Sequence, residues 1–161
     1  MAQYRLLSKE ELQSFEKEFI EYLILNGIDA SAWAKMKNEA PQKAEAVVDL
    51  FSDVVFEKVL RITSYVIKIL ENKIFAFYYG TDEAELIVLD YIGSSDLKLE
   101  GTEILIERIK LNPGEFELTY QIKTYQQERE LELFQLMESG CELSDGELFN
   151  ALKAYQLERS N

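Results

Sequence analysis

The chain has 161 residues, 47% hydrophobic and 29% charged, enough apolar material for one cored domain and too much for a disordered tail. Thirty acidic residues face 17 basic ones, a net charge of −13 with no block of Lys or Arg. Nucleic acid and anionic membranes are held by clustered cations, so neither is an expected partner, and solubility accounts for the acid excess.

Ser8-Lys9-Glu10-Glu11 is a capping box, with Leu7 and Leu12 placed for the accompanying hydrophobic staple. It predicts a first helix whose stripe is Leu12, Phe15, Phe19, Tyr22 and Leu23, stopped by Asn26-Gly27. Asp29 predicts the cap of a short helix carrying Trp33 and Met36, ended by Pro41. Pro41 suits the first turn of a third helix reaching about Leu60. Its main stripe is Ala44, Val48, Phe51, Val55 and Val59, widened by Val47 and Val54. Leu50, Phe56 and Leu60 fall on another side, beside Asp49, Asp53 and Glu57, so this helix is apolar over much of its circumference and is expected to be contacted from two directions.

From residue 62 β-branched and aromatic residues take over. 62-ITSYVIKIL-70, 74-IFAFYY-79 and 85-ELIVLDYI-92, joined by short connections, predict an antiparallel meander with one face fully covered and the other at least partly. Residues 102–111 fit neither the helical nor the strand period. Asn112-Pro113-Gly114 is a turn, and the alternation in 116-FELTYQI-122 predicts a fourth strand. A helix follows from about Gln126 through Leu133, Phe134 and Met137 to Gly140. Ser144-Asp145-Gly146-Glu147 reads as a second capping box before a last helix with stripe Leu148, Leu152 and Tyr155. The order of helices (8–60), strands (62–124) and helices (126–158) predicts a single α+β domain. The expected sheet is a central meander of three to four strands, with the C-terminal helical pair packed with the N-terminal helices.

Three stretches, 49-DLFSDVVFEKVL-60, 128-ERELELFQLMESG-140 and 144-SDGELFNALKAY-155, together with the opening around Leu7, Ser8 and 18-EFIEYLILNGI-28, resemble a small family of Bacteroidota proteins known as a domain of unknown function. The span from about 62 to 115 carries least of the resemblance. It implies a cytoplasmic bacterial protein and supplies no catalytic residues.

Histidine is absent, which closes the commonest routes to acid–base catalysis, zinc binding and nucleophile activation. Neither a P-loop, a dinucleotide glycine fingerprint, a nucleophile elbow nor a paired-cysteine motif is present, so no cofactor and no metal is expected. A lone cysteine, Cys141, forms no internal disulfide, and its acidic neighbours Glu138, Glu142 and Asp145 are expected to raise its pKa. The start, 1-MAQYRLLSKEEL-12, lacks the pattern of a signal peptide, and 74-IFAFYY-79, the densest apolar run, is far too short to span a bilayer; the expected setting is cytoplasmic.

Asp49, Asp53 and Glu57 recur every four residues along one helix edge. Over about 12 Å of rise they cannot all reach one ion, so a solvated or internally paired edge is the leading reading, a docking face the next and a metal site the last. The loop 81-TDEAE-85 reads as a soluble hairpin connection, the aromatic residues as core, and Arg129 among Glu128, Glu130 and Glu132 as a local ion-pair partner. The functional expectation is a non-enzymatic interaction module with a protein partner or a second copy bound at Asp49, Leu50, Asp53, Phe56, Glu57 and Leu60. Two alternatives stand beside it: a carboxylate-based enzyme or small-ligand-binding protein with a pocket between sheet and helices, and an acidic inhibitor or immunity-type protein for a basic partner.

Overall fold

The structure, a computed structural model, describes residues 3–95, 97 and 99–160. It is α+β, with seven helices and a five-stranded antiparallel sheet among the described residues. The chain divides into two compact units, 1–60 and 61–161.

The first unit is helical: α1 (Lys9–Ser14), α2 (Glu16–Leu25), α3 (Ala30–Glu39) and α4 (Pro41–Ile62), whose last turn crosses the boundary. The capping box forms as expected: the Glu11 N–H donates to Ser8 Oγ at 3.1 Å, and the Ser8 N–H donates to Glu11 Oε1 at 2.9 Å. The first helix is nonetheless interrupted at Phe15. Ser14 Oγ donates to the Glu11 carbonyl at 2.6 Å, and the Phe15 N–H is shared between the carbonyls of Glu11 and Leu12, so the ladder slips by one residue. Asp29 caps α3 through the Ala32 N–H at 2.7 Å.

Phe19 and Phe51 form the aromatic centre of this unit, 5.0 Å apart, with Trp33 edge-on to Phe19 at 5.2 Å. Both phenylalanines are buried, each worth roughly 1.5–3 kcal/mol of apolar burial. The buried face of α4 differs from the expected stripe: it runs through Ala44, Phe51, Ser52, Phe56 and Leu60, while Val48, Val55 and Val59 are half-buried and Val54 is exposed. The segment before α1 is one reason, since it lies along α4. Leu7 N–H donates to Ser52 Oγ at 3.0 Å, the Tyr4 ring meets that of Phe56 at 6.0 Å, and the Arg5 guanidinium stands 4.9 Å from the same ring.

The second unit contains β1 (Tyr65–Ile69), β2 (Lys73–Tyr79), β3 (Glu83–Tyr91), α5 (Thr102–Leu111), a 3-10 turn (Pro113–Glu115), β4 (Phe116–Thr124), α6 (Arg129–Glu138), β5 (Glu142–Ser144) and α7 (Glu147–Ser160). The sheet order is β4-β3-β2-β1-β5. The meander and the fourth strand are as the sequence predicts, and residues 102–111 resolve as a helix that buries Leu105 and Ile109. β5 is an addition to the expected three or four strands. It lies where the sequence suggests a helix cap, and the cap is split: Ser144 Oγ accepts from the Gly146 N–H and Asp145 Oδ1 from the Glu147 N–H.

Register assigns the two faces. Ile69↔Ile74↔Leu89↔Leu118 and Ile67↔Ala76↔Ile87↔Tyr120 put one apolar set on the first face. There it packs with Leu105 and Ile109 of α5 and Leu148, Phe149 and Leu152 of α7. The stripe of α7 is thus spent on the sheet and on α5. The second face carries Val66, Phe77, Tyr79, Leu86, Gln121 and Lys123, and α6 is tied to it by polar contacts from its start, middle and end: Arg129 to the Tyr79 carbonyl, Glu132 to Lys123, and the Ser139 carbonyl to Lys68.

Candidate functional site

The six residues singled out on α4 do not form a common exposed face. Phe56 is 8% exposed and Leu60 0%, so neither offers apolar area for docking, whereas Leu50 is 60% exposed. Two of the three carboxylates are occupied within the first unit. Asp53 accepts from the Gln3 N–H at 2.8 and 2.9 Å and from the Tyr4 N–H at 3.3 Å, and Glu57 accepts from the Tyr4 hydroxyl at 2.6 Å. The edge fastens residues 3 and 4 to the helix. Asp49 is half-buried and accepts no hydrogen bond among the described residues.

A different feature lies on the second face of the sheet. Phe77, Tyr79, Ala84, Leu86, Gln121 and Lys123 share that face by register, and with Leu136 of α6 they line a groove of ≈ 270 Å³. One turn before Leu136, the Glu132 side chain is 10% exposed; its Oε1 accepts from Lys123 Nζ at 3.2 Å, and its Oε2 is buried with no hydrogen-bond partner. Such an oxygen ordinarily costs about 1–3 kcal/mol. At the adjoining end of β2, Tyr79 and Tyr125 stack with centroids 5.6 Å apart. Burial pushes both phenols up to about 12, with the Glu132 carboxylate adding to each, so both stay protonated. Arg129, read from sequence as a local ion-pair partner, does approach Glu130 at 3.5 Å, but it also donates to the backbone carbonyls of Thr63, Tyr79 and Gly80.

On the first face Glu85 accepts from Lys153 Nζ of α7 at 2.6 Å and from the Tyr120 hydroxyl. Burial works against the Glu85 charge, but these two donors outweigh it and hold its carboxyl below the usual value. The hydrogen bond to Glu85 raises Lys153, and burial followed by the Glu85 contact raises Tyr120. All three shifts lead away from neutrality, which makes a fixed ion pair and not an acid–base relay. Among the described residues no group of three or more His, Cys, Asp or Glu is placed to hold a metal ion. Cys141 is buried, and burial, rather than its acidic sequence neighbours, raises its thiol above the usual value, with Ser139 and Lys68 pulling the other way.

A further element with unused bonding capacity is β4. It is nine residues long, pairs with β3 along one side and, among the described residues, with no strand along the other. Glu117, Thr119, Gln121, Lys123 and Thr124 are exposed and Ile122 is 52% exposed. The opposite edge is only the three residues of β5. Sequence reading predicts the β4 strand from its alternation but not its position at an edge, and it sees Glu132 only as one of three acidic neighbours of Arg129; nothing local signals its burial against Lys123.

The chain belongs to the family described as "Family of unknown function (DUF6495)", whose model matches residues 1–156 and so includes the meander that carries least of the sequence resemblance. No curated protein and no solved structure gives a significant match. Among the described residues no helix is long and apolar enough to cross a membrane.

Proposed function

We propose that this protein is a non-enzymatic protein–protein interaction module whose contact surface is the outer edge of β4, not the α4 face. The observation that carries the reading is a nine-residue edge strand with an unpaired side and a half-exposed Ile122. Such an edge presents a row of backbone donors and acceptors that an extended segment completes, with alternate side chains setting specificity. The fixed polarity of the Glu85–Lys153–Tyr120 cluster supports binding over catalysis. A cytoplasmic setting belongs to the proposal, in keeping with a single free thiol. The test is a photo-crosslinking side chain placed in cells at Gln121, with Gln42 of α4 as control. A discrete adduct from Gln121 alone, lost on Ile122→Asp, is expected. Equal labelling from both positions, or none, overturns the proposal.

A second reading rests on the unpartnered Glu132 oxygen beside the ≈ 270 Å³ groove. An apolar strip flanked by a buried carboxylate suits a small ligand with an apolar body and an amino group. Thermal shifts with alkyl- and arylamines, absent in Glu132→Leu, are the expected sign; no shift with any of them removes this reading.

A further inference from the structure

We propose that the occupant of the β4 edge is a second copy of the same strand, paired antiparallel about a two-fold axis through Tyr120. The inference rests on the reading of β4 as the contact surface and adds the partner and the register.

Residues directly opposite one another in an antiparallel pair share a face of the sheet, so a two-fold between identical strands must pass through a residue and not between two. Every residue then meets one of its own facing class. With the axis at Tyr120, Glu117 stands opposite Lys123 of the other copy, and Lys123 opposite its Glu117. Thr119 meets Gln121, Leu118 meets Ile122, and Tyr120 meets itself.

The chemistry separates by face. Glu117, Thr119, Gln121 and Lys123 lie on the second face, where the opposed charges fall in two symmetric pairs. Leu118, Tyr120 and Ile122 lie on the first face: Leu118 continues the apolar row Ile74–Leu89, Tyr120 the row Ala76–Ile87, and Ile122 ends the row Tyr78–Glu85. Ile122, 52% exposed at the margin of that surface, gains an apolar neighbour in Leu118 of the other copy. Moving the axis by one residue breaks the match: centred on Thr119, Glu117 faces Gln121 and Lys123 faces Glu115, outside the strand; centred on Gln121, Lys123 faces Thr119 and Glu117 faces Tyr125. Only the Tyr120 register brings the two opposite charges of the strand together.

Lys123 already serves Glu132 at 3.2 Å, yet 57% of its side chain is accessible, and an ammonium has three donors to share. Opposing the contact is the net charge of −13 on each chain. That repulsion is long-ranged and screened by salt, whereas strand hydrogen bonds and directly opposed ion pairs act at contact distance. Moderate salt is therefore the condition under which the pairing is strongest.

Sedimentation equilibrium over a concentration series at about 0.15 M salt, close to the physiological ionic strength, tests the proposal on four proteins: wild type, Glu117→Lys, Lys123→Glu, and the double exchange. Wild type is expected to approach twice its 18.7 kDa mass as concentration rises. Each single exchange sets like charges opposite one another twice and is expected to weaken association about tenfold; the double exchange restores it. These are exposed positions, and circular dichroism confirms that the variants fold. Monomers throughout overturn the second copy, and a dimer insensitive to the single exchanges moves the contact elsewhere. Singles that weaken without rescue in the double overturn the Tyr120 register. If wild type stays monomeric while Gln121 still crosslinks a different protein, the second copy fails and the β4 reading stands; if Gln121 crosslinks nothing, both fail.

Discussion

Arg129 donates from Nη2 to the carbonyl of Tyr79 at 2.9 Å, binding the first residue of α6 to the last residue of β2. The same guanidinium reaches the carbonyls of Gly80 and Thr63, so one side chain serves three backbone acceptors and is itself only 14% exposed. Replacing it removes a donor from all three, although the Gly80 carbonyl keeps the Tyr125 hydroxyl at 2.7 Å. Arg129→Met is expected to lower stability by about 2–3 kcal/mol, and Arg129→Lys to recover little, because an ammonium lacks the planar fork. Urea unfolding reads this as a lower midpoint at unchanged slope; a full rescue by Lys would mean that charge alone matters there.

The Asp53 carboxylate fastens the chain start to α4 through the N–H groups of Gln3 and Tyr4. Asp53→Ala is expected to speed amide hydrogen exchange at Gln3 and Tyr4 and to cost about 1 kcal/mol. Asp49→Ala, one turn earlier, is expected to stay within about 0.5 kcal/mol of wild type and to leave those two amides unchanged. Equal effects from the two would contradict the strap.

Much of the fold is legible in sequence because its signals are local. Ser8 with Glu11, Asp29 and Pro41 mark helix starts through bonds or backbone angles set within a few residues. The meander reads correctly for the same reason. The break at Phe15 and the split cap at Ser144 and Asp145 are local misses, and the others are long-range. The burial of Phe56 is tied to residues 4 and 5, about fifty positions away in the chain, and helical periodicity alone cannot tell which side of an all-round apolar helix a distant segment covers. The pairing of β5 with β1 is non-local as well, and three residues are too few to show an alternation. The proposed site shares this difficulty: β4 is visible as a strand, but its place at the edge follows from the order of the whole sheet.

Glu132 illustrates a cost retained in the fold. Its Oε2 is buried without a partner, so Glu132→Leu is expected to leave stability unchanged or raise it by about 1 kcal/mol, even though Lys123 loses an ion pair. Thermal and urea unfolding at neutral pH measure it. A loss above about 2 kcal/mol would mean that the carboxylate is fully satisfied in solution.

The acid limb of stability has one identifiable contributor in the capping box. Hydrogen bonds from Arg5 and then Ser8 lower the Glu11 pKa from 4.5 to about 2. Because the folded value is the depressed one, this contribution is complete above pH 4.5 and is lost as pH falls towards about 2. Both side chains are 38% exposed, so solvent screening limits it to less than about 1 kcal/mol. Glu11→Gln is expected to lower Tm at neutral pH and to flatten the profile through that window; parallel profiles for the two proteins would remove Glu11 from the acid response.

The pairing of β5 with β1 also bears on the order in which the protein is made. Tyr65 meets Ser144, Val66 meets Leu143 and Ile67 meets Glu142, so β1 is made well before the segment that closes its outer side. β1, β2 and β3 can pair in sequence as they leave the ribosome, each with the neighbour just made. Through that interval the growing sheet has a bare strand at its oldest margin. Chains halted short of Glu142 keep that margin open, an unpaired edge of the kind that invites aggregation during translation.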